Sequence, residues 1–225
     1  MSSRHDARPD SRSPLRTGQW YFDFISPFAY LQFQLLATLG DRIALQPQPI
    51  LFAALLDHHG HKGPAEIDSK RRFTYRFVQW QAARLGVPLN FPPAHPFNPL
   101  AALRLATALP GDWAVIAAIF ERIWVHGLRS DRASDLADIA ARFGIADVEA
   151  ALAADVVKKG LRAQTGQAID AGVFGVPTIA TDGELFWGLD ATAMLVDHLD
   201  AAPVFAGAAM ARIDALPAAV QRKPA

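Results

Sequence analysis

An α/β fold, with a mixed sheet interrupted by a large all-helical insertion, is predicted by three features of the sequence. A run of aromatic and branched residues at 20–25 turns through Ser26-Pro27 into an apolar helical stretch. From Phe52 to about Gln167 the pattern is helical, punctuated by proline and glycine. Gly175-Val176-Pro177-Thr178 then leads into Asp182-Gly183, a strong hairpin signal, and a last helix.

Taken in order, Trp20 to Ile25 reads as a buried strand because few of its positions are polar. Pro27 suits a first helical position, where its missing N–H would have had no partner. The helix that follows carries Phe28, Leu31, Leu35, Leu36 and Leu39 near one face and ends before Gly40. Ile43 to Leu51, which contains Pro47 and Pro49, reads as a second strand with an interrupted end. Strand, helix and strand make a parallel, right-handed βαβ start.

Within the insertion, a helix opening at Asp68 or Ser69 runs to Leu85 and stops at Gly86 and Pro88. It is apolar on two sides, so it is either sandwiched or lines a pocket. Pro92-Pro93, His95-Pro96 and Pro99 predict a rigid, extended loop. Trp113 to Val125 is an amphipathic helix with Asp112 as its cap. Leu136, Ile139 and Phe143 mark another helix, and Val148, Leu152 and Val156 one more. After the hairpin, Asp190 opens a helix through Leu199.

This order of elements is the thioredoxin arrangement. It divides the chain into a disordered leader (1–17), a thioredoxin-like domain (18–52 and 168–200), a helical insertion (53–167) and an alanine-rich extension (201–225). The extension and the apolar helices hint at a homodimer.

Composition narrows the function. Lys plus Arg and Asp plus Glu number 22 each, so no net field draws the chain to nucleic acid or an anionic membrane. There is no cysteine, which excludes a disulfide oxidoreductase and a cysteine nucleophile. Any sulfur chemistry must therefore arrive with a ligand. No apolar run approaches the ~20 residues that a membrane span needs, and the leader lacks the apolar stretch of a signal peptide. A cytoplasmic protein is expected. The His58, His59 and His61 group resembles a metal cluster without spaced carboxylate or cysteine partners, and no metal is expected.

Ser26 stands where a strand ends and a helix begins, with free backbone donors and the positive end of a helix dipole beside it. Such a place suits a thiolate, although serine there also serves simply as an N-cap. Val176-Pro177 opens a strand. It is either an ordinary edge proline or a cis bond that leaves the Val176 N–H and C=O facing outward for an extended peptide ligand.

The stretches FDFISPFAYL at 22–31, GPAEIDSKRRF at 63–73, RLGVPLNFPPAHPFNPLAALRL at 84–105 and GVFGVPTIATDGELFWGLD at 172–190 closely resemble 2-hydroxychromene-2-carboxylate isomerases. With kappa-class glutathione transferases, these form a cysteine-independent branch of the DsbA-like thioredoxin proteins. The resemblance implies glutathione as cofactor, and it implies roles for particular residues. Ser26 matches the serine that hydrogen-bonds the glutathione sulfur. Val176, before Pro177, matches the residue whose backbone pairs with the cysteinyl part of the tripeptide. Asp190 matches the position near the γ-glutamyl amine, or it only caps its helix. Lys70 falls where family members place a lysine that meets a ligand carboxylate, or is a solvated charge; with nearby arginines it is a candidate for the substrate carboxylate. Asn98 hydrogen-bonds a substrate oxygen or only steadies its loop. Phe73, Phe77 and Trp80 form an apolar wall of the site or only of the core. Ala191 departs from the arginine that often follows the aspartate.

The expected activity is cis-trans isomerisation of an aromatic catabolite through reversible thiolate addition. The alternatives are a kappa-like transferase conjugating electrophiles and a non-catalytic thioredoxin-like protein that binds glutathione or a peptide.

Overall fold

The computed structural model describes residues 15–220. Its sheet is built on β1 (Arg16–Phe22), which pairs in parallel with β2 (Ile43–Pro49), Arg16 opposite Ile43 and Phe22 opposite Pro49. On its other side β1 pairs antiparallel with β3 (Thr178–Thr181), which pairs antiparallel with β4 (Glu184–Trp187). The order across the sheet is β2-β1-β3-β4. β2 is thus an edge, where Pro47 and Pro49 cost no interior ladder bond. Asp182 and Gly183 close the hairpin with φ of 53° and 84°. Two successive positive values are what a two-residue type I′ turn requires. Arg16 and Thr17, grouped with the leader in the sequence, lie in β1; residues 1–14 of that leader and 221–225 of the extension are outside the described residues.

Helix α1 (Pro27–Leu36) connects β1 to β2. It stops at Leu36 instead of Leu39, because a 3-10 segment, Ala37–Arg42, takes over and holds Gly40 at φ 54°. The insertion follows as α2 (Phe52–His58), α3 (Asp68–Leu85), α4 (Leu100–Ala108), α5 (Trp113–Phe120), α6 (Ala137–Arg142), α7 (Val148–Ala153) and α8 (Asp155–Asp170). After the hairpin come α9 (Ala191–Leu199) and α10 (Ala208–Asp214).

Some local expectations change. The N-cap of α3 is Ile67 with no side-chain cap bond; Asp68 instead pairs with Arg71 at 2.8 Å. The helix expected over 113–125 is α5, capped by Asp112, followed by a π-helical turn at Glu121–Val125. One helix expected around Val148–Val156 is two, because Ala154 adopts an extended ψ of 134° between α7 and α8. Part of the extension is ordered as α10, none of whose residues is buried.

Alternation along β1 sends Trp20 and Phe22 to one face of the sheet and Tyr21 to the other. Trp20, Phe22, Phe24, Tyr30, Phe120 and Trp124 are fully buried together, with Trp20 and Phe22 stacked at 4.3 Å and Phe24 tilted against Phe120 at 4.7 Å. Burying each such side chain stabilises by about 1.5–3 kcal/mol. Phe120 and Trp124 come from the insertion and the others from β1 through α1, so this cluster fixes the insertion against the strand-to-helix turn. Tyr21, Ile50, Leu55, Ala168, Val173 and Val176 make the smaller core on the opposite face.

Candidate active site

Ser26 is the N-cap of α1, in extended conformation, with Pro27 at the first helical position. Only 8% of it is exposed. Its Oγ accepts the Ala29 N–H at 3.2 Å, and its carbonyl accepts the Tyr30 N–H at 3.2 Å. A hydroxyl that accepts from the helix keeps its own proton for another partner. Pro27 has no N–H, and the Phe28 N–H has no hydrogen-bond partner among the described residues. The mouth of α1 therefore offers two donors, the Ser26 O–H and the Phe28 N–H, together with the positive end of the helix dipole.

Side chains hold much of the turn that presents Ser26. The Trp124 indole, carried on the π-helical turn, donates to the Phe24 C=O at 3.0 Å. His95 Nε2 lies 2.8 Å from the Ile25 C=O. A carbonyl only accepts, so Nε2 carries the proton. The Tyr75 hydroxyl in turn lies 2.6 Å from His95 Nδ1 and 2.7 Å from the His95 C=O. Asp23, wholly buried, accepts the Ile25 N–H through Oδ1 at 3.1 Å and the Phe52 N–H through Oδ2 at 2.9 Å. Its backbone C=O takes the Ser26 N–H at 3.0 Å. Burial outweighs the two amide donors and pushes the Asp23 carboxyl up to about 7. Burial likewise pushes the His95 imidazole below its ordinary value, against the Ile25 carbonyl, which raises it.

The other half of the site comes from β3. Tyr21 at the end of β1 faces Thr178 at the start of β3, so Ser26 and Val176 leave the same end of the sheet. The Val176-Pro177 bond is cis. Among the described residues neither the N–H nor the C=O of Val176 takes part in a turn or loop hydrogen bond, whereas Gly188 donates to the Pro177 C=O at 2.8 Å. A β-carbon at Gly175 would collide with the Trp187 indole, so only glycine admits that ring beside Val176. Asp190 precedes α9 with an exposed carboxylate and makes no side-chain cap bond. Its Oδ1 leans on Gly188, where a β-carbon would come within 2.7 Å.

Gln32 joins the two halves. Buried on α1, it accepts from the Trp20 indole at 2.8 Å and donates to the Gly188 C=O at 3.0 Å and to Thr192 Oγ1 at 3.1 Å. Asp23, His95, Tyr75 and Gln32 are the residues that the sequence did not single out. The histidine and the aspartate stood inside quoted motifs, but neither carries a local mark of its partners.

Phe73 and Trp80 sit on the outward face of α3, 66% and 51% exposed, rather than in the core. Phe77 stacks between them and reaches Phe28 of α1 at 6.2 Å between ring centres. Lys70 is exposed on the same helix. Asn98 is exposed and its Oδ1 accepts the Leu100 N–H at 3.0 Å, steadying the start of α4. The structure thus gathers Ser26, Val176, Pro177 and Asp190 at one end of the sheet, with the α3 aromatics joined to them through Phe28. No three metal-ligating side chains come together among the described residues, and no helix there is long and apolar enough to cross a membrane.

The sequence profile of the DSBA-like thioredoxin domain matches residues 19–200. The chain is 31% identical over 186 residues to 2-hydroxychromene-2-carboxylate isomerase of Pseudomonas putida, covering 78% of this chain and 90% of that one. It is 25% identical over 190 residues to glutathione S-transferase kappa 1 of Rattus norvegicus, covering 76% and 84%. A solved 2-hydroxychromene-2-carboxylate isomerase superposes with a TM-score of 0.72 at 26% identity, covering 88% of this chain and 98% of that one. The chain belongs to the DSBA-like thioredoxin family and, within it, to the family of 2-hydroxychromene-2-carboxylate isomerases.

Proposed function

We propose that the protein is a glutathione-dependent isomerase of the 2-hydroxychromene-2-carboxylate type, acting in aromatic catabolism. The observation that carries this reading is a buried serine hydroxyl and a free amide at a helix mouth, in a chain with no cysteine of its own. These donors fit a thiolate, and the unpartnered Val176 backbone fits the peptide groups of an extended tripeptide. Glutathione, when bound, supplies the nucleophilic sulfur for reversible addition to the conjugated ring-opened substrate, which lets a former double bond rotate.

The chain's own residues do the rest. Ser26 and the Phe28 N–H stabilise negative charge at the mouth of α1. Asp23, His95 and Trp124 hold that mouth in place. Val176 pairs with the ligand backbone beside Pro177, and Asp190 meets its γ-glutamyl amine. Lys70 takes a ligand carboxylate, and Asn98 offers its amide N–H to a substrate oxygen.

Turnover of 2-hydroxychromene-2-carboxylate, measured with and without glutathione, tests the proposal: the reaction requires the thiol and leaves its total concentration unchanged. Equal rates without it would contradict the proposal. The similarity to a kappa-class transferase supports a second reading, conjugation to an electrophile, which would consume the thiol.

A further inference from the structure

Tyr75 ties α3 to the turn that ends in Ser26, and it does so through His95. The buried positions of α3, Val78 and Ala82, are apolar, whereas the part-buried Tyr75 hydroxyl lies 2.6 Å from His95 Nδ1 and 2.7 Å from the His95 C=O. Each contact has a definite direction. The Ile25 C=O can only accept, so His95 Nε2, 2.8 Å away, carries the proton. Burial holds the imidazole below its ordinary value, which leaves Nδ1 bare and able only to accept. Burial also raises the Tyr75 phenol, against the lowering effect of Arg71, so the hydroxyl keeps its proton and offers it to His95. The other neutral tautomer would set a bare Nε2 against the Ile25 carbonyl, two acceptors 2.8 Å apart. Phe91, Phe97 and Trp124 meet the imidazole edge to face, with ring centres 5.9, 6.0 and 5.6 Å away. Hydrogen bonds inside such an apolar collar are stronger than in water.

The row of donors continues into the backbone. The Ile25 C=O and the Ser26 N–H belong to one peptide group, and that N–H donates to the Asp23 C=O at 3.0 Å. Tyr75 O–H, His95 Nε2–H and Ser26 N–H therefore run head to tail from α3 into the turn, and each polarises the next. A planar peptide held at both its oxygen and its nitrogen keeps one orientation. The place of the Ser26 Oγ, which accepts the Ala29 N–H at 3.2 Å, follows from that orientation. The same contacts would be made if Tyr75 and His95 only fastened the loop before α4 to α3. The two roles part at the imidazole, because fastening needs Nδ1 and positioning needs Nε2.

We infer that His95, oriented by Tyr75, is a positioning residue for Ser26: its Nε2–H fixes the Ile25–Ser26 peptide and, through it, the hydroxyl at the mouth of α1. The inference rests on the functional reading above only for what that hydroxyl does. Its placement can be read without glutathione, so the two can fail separately.

Two amide side chains separate the roles. Glutamine places its amide nitrogen where His95 has Nε2, and asparagine where it has Nδ1. In NMR spectra of the full chain without glutathione, His95→Asn should shift the Ile25 carbonyl carbon and the Ala29 amide, whereas His95→Gln should keep both close to the parent. Tyr75→Phe, which removes one hydroxyl, should shift them the same way and less far, and it carries the test should His95→Asn lose its fold by circular dichroism. With saturating glutathione and 2-hydroxychromene-2-carboxylate as substrate, His95→Asn should lower kcat about tenfold or more and leave KM within about twofold of the parent. His95→Gln should lose no more than about threefold. A His95 proton found on Nδ1, Ile25 and Ala29 signals unmoved in Tyr75→Phe, or a glutamine variant as impaired as the asparagine one would overturn the inference. No turnover by the parent, with the NMR signals as expected, would support the positioning role and strike the thiol proposal alone.

Discussion

The backbone from Phe24 to Ser26 and the backbone from Gly175 to Pro177 leave the same end of the sheet and are held in opposite ways. In the first, the Phe24 C=O, both backbone groups of Ile25 and the Ser26 N–H are engaged, by Trp124, His95 and Asp23. In the second, Val176 keeps both of its groups clear of any turn or loop bond, and the aromatic pair beside it, Phe174 and Trp187, is exposed. A site that must present a fixed hydroxyl and also accept a flexible peptide needs both conditions. On the proposed function, the closed turn sets where charge is stabilised and the open strand supplies the pairing surface. Changes to the closed side should therefore cost stability or chemistry, and changes to the open side should cost affinity.

The largest effect expected is on the closed side, in its dependence on pH. Asp23 holds its proton up to about 7 when folded, against an ordinary 3.8. The native state thus binds more protons than the unfolded chain across that window, and the stability this group contributes falls as pH rises through it. The advantage of the parent protein over Asp23→Asn should shrink by on the order of 4 kcal/mol between pH 3 and 8, read from urea unfolding at each pH. A constant difference would mean that folding leaves the Asp23 carboxyl at its ordinary pKa.

Trp124→Phe keeps an aromatic ring but removes the indole N–H and strands the Phe24 carbonyl. Denaturant unfolding should register a loss of about 1–3 kcal/mol. A loss no larger than ordinary repacking would break the claim that the insertion pins the turn by hydrogen bonding. Ser26→Ala comes next: turnover falls at least about tenfold while stability drops by about 1 kcal/mol or less, the worth of a cap. Unchanged turnover would take Ser26 out of the chemistry.

Gly175→Ala sharpens the contrast from the open side. Its β-carbon forces the half-exposed Trp187 away, so glutathione affinity should weaken roughly threefold to tenfold with a melting temperature close to the parent's. A large drop in stability with intact affinity would reverse the assignment of the two halves.

The frame was legible because its signals are local. Ser26-Pro27 marks a cap and a first helical position, Asp182-Gly183 marks a turn needing two positive φ values, and the unbroken apolar run Trp20-Tyr21-Phe22 marks a buried strand. The division of Val148–Asp170 at Ala154 was not legible, since alanine there carries no breaker chemistry. The partners of the turn were hidden for another reason. Trp124 reaches Phe24 across 100 residues and His95 reaches Ile25 across 70, distances over which composition and periodicity carry no contact information. Gln32 reads as an ordinary helix residue, yet it is buried with three hydrogen bonds. Phe73 and Trp80 were legible as a stripe, but which side of α3 faces water depends on how the helix docks.

The central claim is that a sulfur brought by a ligand becomes reactive at the mouth of α1. Absorbance of the thiolate, followed as pH is raised with glutathione and excess protein, measures this directly. The account predicts that the bound thiol ionises below the ~8.5 of a free thiol and that Ser26→Ala returns it toward that value. A bound thiol that titrates like the free one would contradict it.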